Sequence, residues 1–300
     1  MLLPIATGRP PAAYSFLIGR ILVLGLLLTF GVVAPVSAQT ILFPYEENFA
    51  WQVKQIDEFM DRFNNADYTP IRRYLQEQYD VDEVSRTDVL RSLFNLEKQD
   101  WSKPDIVRFL SEVTDSLPPP YLDFYDDDWY AELRCQGVLD RQPVYFTLVL
   151  SIERDAASGG SRWVINSVAG NFLPTADTVA LAFAVDEGYD ASKTLQPTSF
   201  GTDFMNLVDA LRDTAHLDSY VAPHAVDPSL TVFLNHLYRR KLTFRQVDHI
   251  VYHFLQVDHW IFQVQDFHRP SINSGWLINS LMAATAEEKA HYRKEVLHLP

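Results

Sequence analysis

The side chains best suited to chemistry are histidines. Seven of the nine lie between His216 and His268, and His249 and His253 stand four residues apart. On a helix that spacing places both imidazoles on one face, the disposition of a zinc pair, and His259 or Asp248 would complete the ligand set. The residues between them are Ile250, Val251 and Tyr252, so the glutamate of a metalloprotease helix is absent. Zinc is thus the one cofactor the pattern suggests. The bland reading is a pair of hydrogen-bonded histidines beside an apolar stripe.

A second polar group gathers Asp266, His268, Arg269, Asn273 and Ser274. Residues two apart share a face of a strand, so Asp266 and His268 are the catalytic candidates, an acid/base pair. The structural reading is a hairpin whose Asn and Ser bond the turn backbone. Ser274 precedes Gly275 but lacks the flanking pattern of a nucleophile elbow. Asp123 and Asp126 to Asp128 form an acidic loop that would suit calcium, yet the glycine and distal glutamate of a calcium loop are missing. The single cysteine, Cys135, permits no intramolecular disulfide. Alternation sets it with Trp129, Ala131 and Leu133, which predicts a buried, inert thiol.

Elements must position these groups. Phe49, Val53, Ile56, Met60 and Phe63 predict one helix from Asn48 to about Asn64, and Thr69-Pro70 opens a short helix through Tyr79. Ser85 with Asp88, and Ser102 before Lys103-Pro104-Asp105, open two more, the last stopped by Pro118-Pro119-Pro120. The period then changes: Trp129 to Leu139, Pro143 to Glu153 and Arg162 to Ala169 alternate as hairpin-linked strands, with Tyr130, Glu132, Arg134 and Gln136 on a wet face. Beyond a connector at 171–196, a helical stripe runs through Phe204, Leu207, Val208 and Leu211. Asp227-Pro228 starts a helix ending at Arg239-Arg240-Lys241, and Thr243 with Gln246 opens a partner helix through Phe254. Trp260 to Val264 and Trp276 to Ile278 are strands, and Thr285 with Glu288 boxes a charged terminal helix.

The organisation predicted is α+β: a leader at 1–38, a helix-wrapped antiparallel sheet at 45–170, the connector, and a mixed helical and β-hairpin region at 197–300. Helices led by a long amphipathic one, then long antiparallel strands, resemble the nuclear transport factor two-like (cystatin-like cone) domain over about Tyr45 to Gly170. That resemblance implies helices packed on a curved, cone-like sheet with any active group in the cone's mouth. It carries no catalytic residue over. The run from Val264 to Ile278 is similar to segments of exported bacterial proteins.

Arg9 and Arg20, the apolar run from Ile21 to Val33 and the small-x-small site Val36-Ser37-Ala38 read as a secretory signal cleaved before Gln39. The run is short for a spanning helix, so the expected product is exported, periplasmic or extracellular, with no stable membrane anchor. With 25 Lys+Arg against 39 Asp+Glu the formal charge is −14, which disfavours nucleic acid as a partner. No Gly-rich phosphate loop is present. The expected function is an exported soluble binding or interaction module, without catalysis of its own, whose partner is a small molecule or an envelope protein. The competing classes are an envelope hydrolase or lyase, with or without assistance from a metal, with its site in the C-terminal half, and a subunit of an envelope assembly.

Overall fold

A computed structural model of the chain describes residues 47–154, 160–173, 193–223 and 228–299. The expected leader and residues 174–192 of the expected connector lie outside them, as does Asp227. Among the described residues no helix is long and apolar enough to cross a membrane.

Six strands form one antiparallel sheet: β1 (Trp129–Leu139), β2 (Gln142–Arg154), β3 (Ser161–Gly170), β4 (Leu242–Phe254), β5 (Trp260–Phe267) and β6 (Gly275–Ala283). Their spatial order is β3-β2-β1-β4-β5-β6, so the residues on either side of 171–196 contribute three strands each to one sheet, joined through β1 and β4. The fold is α+β. The first three strands match their expected spans to within one residue, because strict alternation with one apolar row is the least ambiguous strand signal.

Four helices precede the sheet: α1 (Ile56–Phe63), α2 (Pro70–Tyr79), α3 (Arg86–Ser92) and α4 (Lys103–Asp115). The Ser85 side chain accepts from Asp88 N–H at the start of α3, as its spacing predicts. The first helix differs from expectation. Residues 47–51 are helical, but the backbone then leaves the helix so that Val53 can bridge to Gly275, and Phe49 is exposed. Val53 N–H donates to Ser274 O and Val53 O accepts from Trp276 N–H, a tertiary demand that outweighs local helical periodicity. The stripe of Phe204, Leu207 and Leu211 likewise folds not as one helix but as a 3₁₀ turn, Pro197–Thr202, and a single short helix, α5 (Asn206–Ala210).

The largest correction concerns Thr243 to Phe254, expected as a helix and folded as β4. Only α6 (Pro228–Tyr238) of the expected helical hairpin is helical. Ile250 to Leu255 are all buried, since β4 is central and this half of it is covered on both faces, and such strands read as continuous apolar runs. A run of that kind mimics three- and four-residue spacing without being helical.

The core lies on one face of the sheet. Trp129 stacks on Phe254 with ring centroids 5.5 Å apart, Phe254 on Phe262 at 5.0 Å, and Phe262 on Phe63 of α1 at 5.9 Å. Phe109 of α4 packs edge-on against Phe262 and Trp260. Each edge strand is bridged at two points, β3 by Leu195 and Val221 and β6 by Val53 and Phe94, which pairs part of the edge backbone. The opposite, outer face carries α7 (Ala286–Glu295), opened by the expected capping box of Thr285 and Glu288.

Candidate functional site

The outer face is divided in two. One half lies beneath α7 and the tail that follows it. There Tyr130, Val149, Leu255, Ile261, Ala284, Tyr292, Leu297 and Leu299 form a small apolar cluster, so the face expected to be wet is partly dry. Polar ties fasten the cover. Lys289 Nζ donates to Leu255 O at 2.6 Å and Val257 O at 2.7 Å, Ser167 Oγ donates to Leu297 O at 2.7 Å, and Arg293 pairs with Asp128.

Through this cover runs a chain of side chains. Gln263 Nε2 donates to Tyr292 Oη at 2.8 Å, and Tyr292 Oη meets Nδ1 of the buried His253 at 2.8 Å. With its oxygen accepting from Gln263, the phenol's own hydrogen is free for Nδ1, which leaves the imidazole proton on Nε2. Nε2 stands 3.2 Å from Glu132 Oε2, a close contact that falls short of a well-aligned hydrogen bond. Glu132 Oε1 in turn accepts from Arg134 Nε at 3.3 Å. Burial alone would raise the Glu132 pKa, but His253 and then Arg134 outweigh it and hold the carboxyl below its ordinary value. Burial pushes the Tyr292 phenol up, so it keeps its proton.

The other half of the outer face is open. A groove of about 590 Å³ is lined there by Arg134, Tyr145, Thr147, Asn171, Asp248 and His249. The β1–β4 register slips between Arg134 and Cys135, leaving Asp248 as an extra residue on β4, and such a bulge re-aims a side chain beside its neighbour. Asp248 accepts from Gln246 Nε2 at 2.7 Å. Burial, and then Arg134, lower the His249 pKa, so this imidazole is neutral at neutral pH and both donates and accepts. Glu132 lies on the boundary and connects the groove to the buried chain.

The residues singled out from sequence fall as follows. His249 and His253 do share a face, but on a strand they are about 13 Å apart along the backbone rather than one helical turn, and His253 is engaged with Tyr292 and Glu132. His259 occupies a left-handed turn position before β5, where its carbonyl accepts from Ala284 N–H. Among the described residues no group of three His, Cys, Asp or Glu is placed to hold a metal ion. Asp266 and His268 are brought together, Oδ2 to Nε2 at 3.0 Å, with His268 84 % exposed at the end of β5. Arg269 and Asn273 are structural. Arg269 donates to Asn273 O at 2.6 Å, and Asn273 Nδ2 donates to Phe94 O at 2.8 Å, which ties the β5–β6 turn to the end of α3. Cys135 is buried, and burial drives its thiol far above the ordinary range, so no thiolate forms at neutral pH. Asp123, Asp126 and Asp127 border a second groove of about 600 Å³ beside Glu153 and Arg154.

No motif or spacing marks Glu132, Arg134, Tyr145 or Tyr292 as a site residue. Alternation sets Glu132 and Arg134 on the non-core face but does not separate them from ordinary surface charge. Nothing marked Tyr292, the one aromatic residue of a charged helix. Comparison with protein-family models, curated proteins and solved structures found no match to this chain.

Proposed function

We propose that the protein is an exported, soluble binding module, without catalysis of its own, that holds a small hydroxyl-rich molecule on the open half of its outer sheet face. The observation that carries this reading is the groove itself. It offers a guanidinium, a carboxylate, a side-chain amide, a hydroxyl and a neutral imidazole around one space, with the Tyr145 ring 64 % exposed at its border. Mixed donors and acceptors beside an aromatic face suit a neutral, hydrogen-bonding molecule better than a highly charged one. The absence of catalysis is supported by the state of two reactive groups: Cys135 is sequestered, and Tyr292 keeps its proton within the cover.

Two measurements test it. Titration with maltose and with chitobiose, followed by NMR, is expected to give saturable shifts at Arg134, Thr147, Asp248 and His249. Arg134→Ala should weaken the binding about tenfold, the worth of a hydrogen bond from a charged donor. Shifts confined to other faces, or none, would remove the groove from consideration. For export, the secreted product is expected to begin at Gln39 on N-terminal sequencing; a product retaining residues 1–38 rules out signal cleavage.

A further inference from the structure

Both grooves lie on one face of the β2–β3 hairpin. Along β2 the outward residues are Tyr145, Thr147, Val149, Ser151 and Glu153, since Phe146, Leu148, Leu150 and Ile152 belong to the core. Tyr145 and Thr147 line the first groove, Ser151 and Glu153 the second. β3 repeats this order. Ala169 pairs with Thr147, Ser167 with Val149 and Val164 with Ser151, so Ala169 borders the first groove and Val164 the second. Thr147 and Ser151 are about 13 Å apart along the strand, and one row of the hairpin, Val149 with Ser167, separates the two spaces.

The end of the chain lies on that row. α7 is tied to Leu255, Val257 and Asp128, and the residues after it carry the cover across to β2 and β3. Val149 joins Leu297 and Leu299 in one apolar cluster, and Ser167 Oγ donates to Leu297 O at 2.7 Å, with Leu297 and Ser167 both buried. The tail is folded back on its helix. Leu297 N–H donates to Tyr292 O and Leu299 N–H to Arg293 O, with His298 between them in the left-handed region at φ 53°. Beyond the tail the second groove offers the same kinds of group as the first: carboxylates, a guanidinium, a side-chain amide and a hydroxyl. There Asn166 Nδ2 donates to Ser151 Oγ at 2.9 Å, and Arg154 lies over the Tyr125 ring, 3.7 Å from Asp123.

We infer that the C-terminal tail, through Leu297, sets the length of ligand that the first groove accepts, ending it after a short oligosaccharide and barring a longer one from the second groove. This rests on the reading of the first groove as a site for hydroxyl-rich molecules. A linear oligosaccharide repeats hydroxyl donors and acceptors along its length, and both grooves hold side chains that pair with them. Lying along β2, such a chain meets Thr147 first and reaches Ser151 only by crossing the Val149–Ser167 row. Leu297 occupies the row, and its carbonyl engages the Ser167 hydroxyl. With the tail displaced, that hydroxyl becomes available to the ligand and the two grooves become one.

The experiment titrates the purified protein with maltose and maltohexaose, and with chitobiose and chitohexaose, read by calorimetry and by amide NMR. In the series that binds, the wild type is expected to take the disaccharide and the hexasaccharide with closely similar affinity, shifting Thr147, Asp248 and His249 but not Ser151 or Asn166. The double substitution Leu297→Asp, Leu299→Asp drives the tail out while keeping the chain complete, because an unpaired carboxylate is not tolerated in an apolar cluster. In that variant the hexasaccharide should bind about tenfold or more tighter than the disaccharide, the worth of one or two added hydrogen bonds, and should shift Ser151 and Asn166 as well. Two results overturn the inference. One is a wild-type hexasaccharide complex that already shifts Ser151 and Asn166, a measurement that needs no variant. The other is a variant that is folded by circular dichroism yet shows no preference for the longer sugar. Absence of any disaccharide binding by the wild type is a separate result, which removes the reading of the first groove and this inference with it.

Discussion

Gly275→Ala is expected to destabilise the protein by roughly 3–5 kcal/mol, at the upper end of what single substitutions do. Two independent faults add. Gly275 has φ +84°, where a side chain is strained whatever the space, and a Cβ built there lies 1.9 Å from Val53 O and 2.7 Å from Val53 C. Those atoms are backbone and cannot swing aside. Val53 is held from both directions by Ser274 O and Trp276 N–H, so the clash resolves only by opening this bridge at the start of β6. Trp276, packed on Tyr252, moves with it. Gly201→Ala is the control. Its nearest neighbour is the end of the Gln55 side chain at 3.3 Å, its φ is ordinary, and its cost should stay within about 0.5 kcal/mol. Thermal unfolding followed by circular dichroism should separate the two variants by about 10 °C; equal melting temperatures would mean that the bridge contributes nothing.

The chain from Glu132 through His253 to Tyr292 makes the second large effect, and it depends on pH. His253→Ala removes the hydrogen-bond acceptor of the Tyr292 hydroxyl and leaves a cavity where a buried ring stood beneath α7, which should cost roughly 3 kcal/mol. The pH dependence follows from the carboxyl, which His253 and Arg134 hold below its ordinary value of 4.5 against the opposing pull of burial. A group with a depressed folded-state pKa contributes stability that is present above its unfolded value and is lost as pH falls through the folded one. The wild type should therefore lose this contribution below about pH 4.5, and Glu132→Gln, which has no carboxyl to titrate, should not. Urea unfolding from about pH 3 to about pH 7 is expected to show a wild-type advantage over Glu132→Gln at neutral pH that shrinks on acidification. A gap that stays constant with pH would mean that the Glu132 carboxyl is not held below its ordinary value.

Much of the scaffold was legible in the residues because its signals are local. The hairpins of β1, β2 and β3 announce themselves by alternation, α2, α3 and α4 by proline and serine at their starts, and α7 by its capping box. The site was less legible. His249 and His253 attracted notice through a spacing that has meaning only on a helix, and β4 is not one. Asp266 and His268 meet as strand geometry predicts, but at an exposed turn. Glu132 and Arg134 sat in plain view on the non-core face, where no pattern distinguished them from ordinary surface charge.

By itself the sequence determined the α+β class, the spans of β1, β2 and β3, the starts of α2, α3, α4, α6 and α7, the burial of Cys135 and which face of β1 meets the core. These follow from capping, turn chemistry and side-chain period, which act over a few residues. Tertiary structure alone decided that β4 is a strand beside β1, that Val53 leaves its helix to meet Gly275, and that α7 covers half the outer face. It also decided that the Tyr252 hydroxyl is buried without a hydrogen-bond partner among the described residues. Each of these depends on contacts between residues far apart in sequence, where burial on two faces or a backbone bridge outweighs local preference, and no periodicity within one segment records what will pack against it.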